Sequence, residues 1–291
     1  MGAFRDGWRR GLRRDVFLWM AATVAILGLL TVGPGQDLLR RLDREVLHER
    51  LKESLARLLG KEDWAVPKPF RQHQDYVWLK GGWPVRIAHA LGEPGTSTAN
   101  TLGAMRRSYE AGFRLFEVDL VLEDGELKCR HDPGPPPAAM AQDGCTLETL
   151  LVALPTDAWL VLDLKTDFQA TGERSLEAAR RYDKLSQLIF QLYKPGDVDL
   201  FAAWQSEAPA LPGPIVTTYL AHRSLDHIVM HARRIGLQVL TLPRARLPAL
   251  RDDRQGLRVL VHPIHSCADA TVAARYRVDG IYTLHSLSCR P

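Results

Sequence analysis

Two histidines and three acids in this chain fall at spacings that could do chemistry together. His89 closes an apolar run that starts at Val85, and Glu117 and Asp119 sit two apart in a run that starts at Leu115. His131 stands beside Asp132 after a tight turn, and Asp163 and Lys165 repeat the two-residue spacing at the end of another apolar run. Residues i and i+2 of a strand point to the same side, so Leu115, Glu117 and Asp119 share one face while Phe116, Val118 and Leu120 share the other. Carboxylates gathered from Glu117, Asp119 and Asp163 would repel one another and rise in pKa unless a cation sat among them. All-oxygen ligands suit one divalent ion of the hard kind, Mg²⁺ or Ca²⁺, better than zinc. Lys165 would bring positive charge to a phosphate oxygen. Imidazoles that titrate near neutrality can serve as general base and general acid on either side of a displacement, which suits His89 and His131 to phosphodiester chemistry.

Such side chains act together only if the fold brings them together. Apolar runs at 85–89, 115–121, 160–164, 199–203, 215–219, 237–240, 257–261 and 279–283 predict eight strands. Helical periodicity at 98–111, 174–193, 225–235 and 269–277 falls between most of them. Alternation of this length implies a parallel sheet, and eight units imply closure into a TIM (β/α)8 barrel. An open doubly wound sheet is the runner-up, but no glycine-rich phosphate loop follows the first strand. In a barrel, His89, Glu117, Asp119, Asp163 and Lys165 all reach the C-terminal ends of their strands, where barrel active sites are built. Asp124-Gly125 marks a tight turn that returns His131 to the same rim as the end of a hairpin. Trp204 and Tyr219, at expected strand ends, would form an apolar wall for the substrate or simply pack. His262, His265 and His285 lie near late strand ends and could line the pocket, whereas His48, His73, His222, His227 and His231 read as structural.

At 291 residues, 46% hydrophobic and 25% charged, the chain is long enough to bury a large core. The net charge of +4 is concentrated in arginines near the N-terminus rather than spread as a stripe, which argues against nucleic acid as a partner. Arg5, Arg9, Arg10, Arg13 and Arg14 precede an uncharged segment, 16–35, whose twenty residues at about 1.5 Å each would cross the ~30 Å hydrocarbon layer. The expectation is an uncleaved single-pass membrane anchor with the N-terminus inside and the later residues on the periplasmic or extracytoplasmic side. Arg40, Arg41 and Arg44 weigh against that orientation, and Thr31-Val32-Gly33 before Pro34 makes a poor cleavage site. Residues 36–60 then read as an amphipathic juxtamembrane helix, 61–84 as a strap, and 85–291 as the barrel. No oligomeric state is read from the sequence.

On these residues the chain resembles the glycerophosphodiester phosphodiesterase superfamily, as a divergent member related to the sphingomyelinase D-type phospholipases. The carriers are His89-Ala90-Leu91-Gly92, Asn100-Thr101, Glu117-Val118-Asp119, Asp124-Gly125, His131-Asp132, Leu162-Asp163-Leu164-Lys165 and Asp279-Gly280-Ile281-Tyr282-Thr283, spread over 85–285. The resemblance implies a TIM barrel, His89 and His131 as the acid/base pair, and Glu117, Asp119 and Asp163 as metal ligands. It also implies cleavage of a phosphodiester in which the substrate's own hydroxyl, or water, attacks phosphorus. The family's arginine after the first histidine is Ala90 here, its glutamate before Asn100-Thr101 is Ala99, and its aspartate after the closing threonine is Leu284. Asp163 stands where glutamate is commoner, as in the sphingomyelinase D-like branch. The metal set survives these changes, while recognition of a glycerol head group loses contacts.

The expected function is a membrane-anchored, metal-dependent phosphodiesterase acting on a glycerophosphodiester or a (lyso)phospholipid-type phosphodiester. Two rivals are a phospholipase D-like lyase that forms a cyclic phosphate, and a catalytically silent barrel that binds or scaffolds. Cys129, Cys145, Cys267 and Cys289 make an even count that an exported domain could pair as disulfides. Pairing Cys129 with Cys145 would close the loop after His131, and pairing Cys267 with Cys289 would tie down the C-terminus. Connectivity is open at this point, as is the alternative of buried free thiols.

Overall fold

Side chains alternate in and out along each strand, and the alternation divides the molecule into an inner and an outer layer. In the computed structural model, which describes residues 76–80, 84–134, 144–218, 225–250, 254 and 256–289, eight parallel strands close on themselves. They are β1 (Val85–Ala88), β2 (Leu115–Glu123), β4 (Trp159–Leu164), β5 (Leu188–Leu192), β6 (Ile215–Thr217), β7 (Val239–Pro243), β8 (Arg258–Ile264) and β9 (Gly280–Thr283), with β9 returning to pair with β1. A short antiparallel strand, β3 (Glu126–Cys129), folds back on β2 through Asp124-Gly125, where both residues adopt positive φ. Helices α1 (Leu102–Glu110), α2 (Leu147–Ala153), α3 (Phe168–Arg181), α4 (Pro195–Glu207), α5 (Leu225–Arg234) and α6 (Cys267–Arg275) lie between the strands in sequence. This is the TIM-barrel architecture that the strand and helix periodicity predicts. The segment 16–35 expected to span a membrane, the stretch 36–60 expected as an amphipathic helix and most of the expected strap 61–84 lie outside the described residues. Among the described residues no helix is long and apolar enough to cross a membrane.

The outward faces of the strands build the larger core. Phe116, Val118 and Leu120 of β2 and Leu160 and Leu162 of β4 cluster with Leu147, Leu150, Leu151 and Leu176 of the helices. The inward faces begin as an apolar ring of Ile87, Leu115, Val161, Ile189, Ile215, Val239 and Leu260, on which Tyr76 and Trp78 pack. The Tyr76 hydroxyl accepts from Gln238 N (3.1 Å), and Trp78 Nε1 donates to Gly213 O (3.3 Å), so this segment closes the N-terminal end of the barrel. Polar side chains are thereby confined to the opposite end, and the register puts Asp119 directly beside Asp163 there.

Two expected elements change type. The run 199–203, expected as a strand, is part of α4, with Pro195 in its first turn and Val198, Phe201, Trp204 and Gln205 buried at three-to-four spacing. The helical pattern expected over 174–193 ends instead at Arg181, where Asp183 takes a left-handed conformation. Leu188–Leu192 then runs as a strand whose five residues are all buried. A continuous apolar run carries no period of its own, so propensity left the choice between helix and strand to tertiary packing.

Phe190 of that strand is fully buried between Phe201 (5.8 Å between centroids) and Trp204 (5.4 Å). Phe190→Ala is expected to lower stability in urea denaturation by about 3–5 kcal/mol. Val152→Ser, at a side chain 69% exposed, is expected to change it by less than about 0.5 kcal/mol.

Candidate active site

β1 runs into a tight turn, His89–Gly92, in which Ala90 (φ 47°), Leu91 (φ 62°) and Gly92 (φ 109°) are all left-handed. Such strain costs on the order of 1–3 kcal/mol per non-glycine residue and persists only where surrounding contacts hold it. Here Ser108 Oγ donates to Leu91 O (2.7 Å), Asn100 N donates to Ala90 O (3.0 Å), and a Cβ at Gly92 would lie 1.9 Å from Ser108 Oγ. The turn leaves His89 at the barrel rim and aims Ala90 N inward, where it donates to Glu117 Oε2 (2.6 Å). Asn100, itself left-handed, grips Asp119 twice: its Nδ2 donates to Oδ2 (2.7 Å) and its Oδ1 accepts from Asp119 N (3.1 Å). Arg130 N donates to Asp119 O (2.9 Å) while its guanidinium pairs with Glu123, which brings the chain that leads into His131 back beside β2.

Glu117, Asp119 and Asp163 are buried, and each offers a carboxylate oxygen within 4.8 Å of the others. Lys165 Nζ bridges Asp119 Oδ1 (2.9 Å) and Asp163 Oδ2 (2.7 Å). Three carboxylates against one ammonium leave two negative charges in excess when all are ionised. The protonation equilibria register this repulsion. Burial, then Asp119 and Asp163, pushes Glu117 well above the usual carboxylate range, and burial raises Asp163 although Lys165 opposes it. Burial lowers Lys165, but the two aspartates more than offset this and hold it above its ordinary value. Asp163 Oδ1 is buried and has no hydrogen-bond partner. An all-oxygen donor set, excess charge equal to that of a dication and one vacant buried oxygen fit Mg²⁺ or Ca²⁺. Glu117, Asp119 and Asp163 would hold the ion.

His89 sits between two other imidazoles. Its Nδ1 is 2.9 Å from His265 Nε2, and its Nε2 is 2.9 Å from His262 Nε2. Burial, followed by His265, lowers His89 to about 4, and burial, followed by His89, holds His262 well below its ordinary value. Both are neutral at pH 7, so His89 donates to one neighbour and accepts from the other. His131 is 64% exposed, with Nδ1 3.0 Å from Asp132 Oδ1. His89, His131, Asp119, Asp163 and Lys165 all line one cavity of about 1080 Å³. Glu117 lies inward of it, accepting the Ala90 N–H of the turn that carries His89.

Of the residues expected at the site, Trp204 is elsewhere: it lies on α4 rather than at a strand end, stacked on Phe168 (5.3 Å) and against Gly172 in the outer core. Helical spacing turns it away from the cavity and into the core. Tyr219 lies outside the described residues. Cys129 is bonded to Cys145 and Cys267 to Cys289, with Cα separations of 5.4 and 5.6 Å. His262 lines the cavity as the sequence allowed, whereas His265 stands behind His89, and His285 instead ties to Gly92 O (2.9 Å). Gln191 and Tyr193 line the cavity without having been anticipated. Their two-residue spacing, the same signal that picked out Glu117 and Asp119, was hidden in a stretch expected to be helical.

No family model matches the sequence, and no curated protein does. Solved structures with the same fold include glycerophosphodiester phosphodiesterases. One, from Thermotoga maritima, has a TM-score of 0.55 at 18% identity over 69% of this chain and 95% of that one. Another, from Parabacteroides distasonis, has a TM-score of 0.54 at 17% identity over 70% and 94%. An Oleispira antarctica phosphodiesterase, in complex with the product sn-glycerol-3-phosphate, has a TM-score of 0.52 at 16% identity over 69% and 93%. At such identities the likeness is one of fold.

Because His89 lies near 4 in the folded protein and near 6.5 when unfolded, the unfolded chain takes up this proton first on acidification. The His89 contribution therefore removes stability as pH falls from about 6.5 through about 4. In a ¹⁵N-detected NMR titration without added cation, His89 is expected to titrate near 4. His265→Asn is expected to move that midpoint upward, since His265 opposes the His89 charge.

Proposed function

We propose that the chain is a metal-dependent phosphodiesterase that cleaves a glycerophosphodiester or a (lyso)phospholipid-type phosphodiester through proton exchange at His89 and His131. The observation that carries this reading is the convergence of Glu117, Asp119 and Asp163 within 4.8 Å, in the barrel end that also holds both histidines. A cation bound there would supply positive charge to the phosphoryl oxygens. Lys165 adds a second positive charge from the cavity wall. His89, neutral at pH 7, takes the proton of the attacking hydroxyl, whether the substrate's own or water, on the ring nitrogen that gives up its bond to a neighbouring imidazole as the new oxygen–phosphorus bond forms. His131, in its imidazolium form with Nδ1–H donated to Asp132, delivers the proton on Nε2 to the departing oxygen as the old bond breaks.

The fold shared with glycerophosphodiester phosphodiesterases, and with a phosphodiesterase complexed with its product sn-glycerol-3-phosphate, supports a diester substrate. Ala90 and Ala99 remove polar contacts expected for a small head group, and an anchor at 16–35 would hold the barrel beside lipid. We place that barrel on the extracytoplasmic face, a reading supported by the basic N-terminal flank and by two disulfides, which persist in oxidising compartments.

A panel of small diesters and lysophospholipids, run with and without chelator, tests the activity. Turnover is expected on at least one diester and is expected to vanish with chelator and in Asp119→Asn. His89→Ala and His131→Ala are each expected to slow it by about 10²–10⁴-fold. A cyclic phosphate in place of a monoester would identify a lyase, and an inert panel would leave the barrel as a binding module. In carbonate-washed membranes the full-length protein is expected to stay in the pellet, and its release would refute the anchor.

A further inference from the structure

A chain of hydrogen bonds crosses the barrel interior and ends on the carboxylate cluster. Thr241 Oγ1 donates to the Tyr282 hydroxyl (3.3 Å), and Tyr282 donates to Gln191 Oε1 (2.9 Å). Gln191 Nε2 donates to the Tyr193 hydroxyl (2.8 Å), and Tyr193 donates to Asp163 Oδ2 (2.7 Å). Each link fixes the next. With its carbonyl occupied by Tyr282, the Gln191 amide must turn its N–H toward Tyr193, and Tyr193, accepting that N–H, has its own proton left for Asp163. Bonds aligned this way polarise one another in a low-dielectric interior.

The chain has a counterpart at each of the other carboxylates. Glu117 is held through one oxygen by Ala90 N, Asp119 by the Asn100 amide, and Asp163 by Tyr193. Asp163 is the most asymmetric of the three. Its Oδ2 receives both Tyr193 and Lys165, while its Oδ1, itself buried, receives nothing. A buried oxygen without a partner carries a desolvation cost that a cation would relieve.

We propose that Tyr193, held in place by Gln191 and Tyr282, is a positioning residue that turns Asp163 so that Oδ1 is presented to a divalent cation. The proposal rests on reading Glu117, Asp119 and Asp163 as a cation site, and is independent of which diester, if any, is cleaved. Two effects of Tyr193→Phe oppose each other. Loss of the hydroxyl leaves more negative charge on Asp163, which alone would tighten cation binding, but it also frees the carboxylate to rotate, which weakens binding. Partners that orient metal ligands are typically worth about 10–100-fold in affinity, so orientation is expected to win.

The test is calorimetric titration of MgCl₂ and of CaCl₂ into the full-length chain, with melting temperatures recorded before any cation is added. Tyr193→Phe is expected to weaken binding by about tenfold or more with little change in the cation-free melting temperature. Tyr282→Phe, which loosens Gln191 from behind, is expected to weaken it in the same direction by less. Equal or tighter binding by Tyr193→Phe overturns the proposal, as does a loss of affinity that only tracks a loss of cation-free stability. Should Tyr193→Phe fail to fold, unchanged affinity in Tyr282→Phe overturns it. A parent chain that takes up neither ion also overturns it, even if that chain cleaves diesters. Conversely, cation uptake weakened by Tyr193→Phe in a chain inert on every diester sustains this proposal and defeats the catalytic one.

Discussion

Three carboxylates held within 4.8 Å of one another and away from water set the terms for the rest of the barrel end. Left to themselves they would separate or protonate, since like charges in a low-dielectric site repel strongly. Every neighbouring element contributes a restraint against that outcome. The strained turn after β1 gives a backbone N–H to Glu117, the residue ahead of α1 gives an amide to Asp119, and the chain beyond β5 gives a hydroxyl to Asp163. Lys165 ties the two aspartates to each other. What remains is an uncompensated charge of the size and donor type that a hard dication neutralises.

The histidines are treated differently from the acids. His89 is built into the structure, between two other imidazoles and under the turn it begins, and its environment keeps it uncharged at neutral pH. His131 is at the surface of the same cavity, held by the adjacent Asp132 and by the hairpin that returns it to β2. In the proposed reaction the buried imidazole would accept a proton and the solvent-open one would deliver it, a division set by burial rather than by residue type.

Much of this was legible in the sequence because period-2 spacing survives into the fold. Glu117 and Asp119 share a face with Leu115, Asp163 aligns with Asp119, and the Asp124-Gly125 turn makes the hairpin that the residues announce. Where the reading failed, the local signal was weak. The stretch Leu188–Leu192 carries a single polar residue, Gln191, among four apolar ones, too little to betray its period in a barrel strand buried on both sides, and so Gln191 and Tyr193 were lost with it. Trp204 was misplaced for the converse reason: a short apolar stretch in α4 imitates a strand when read without its neighbours. The grouping of His262 and His265 around His89 depends on pairing between β8 and β9 that is irregular between Val261 and Ile264, a long-range property no window of sequence contains.

The packing of Tyr76 and Trp78 against the apolar ring bears on where this domain can be cut. The repeating strand pattern begins only at Val85, and a truncation designed from that pattern would start there. Such a fragment would keep every residue of the cavity yet lose its stopper, leaving Ile215, Val239 and Leu260 facing water through an open base. A piece that keeps the base of the barrel covered therefore begins ahead of Tyr76, at a position marked by two aromatic rings rather than by the first strand.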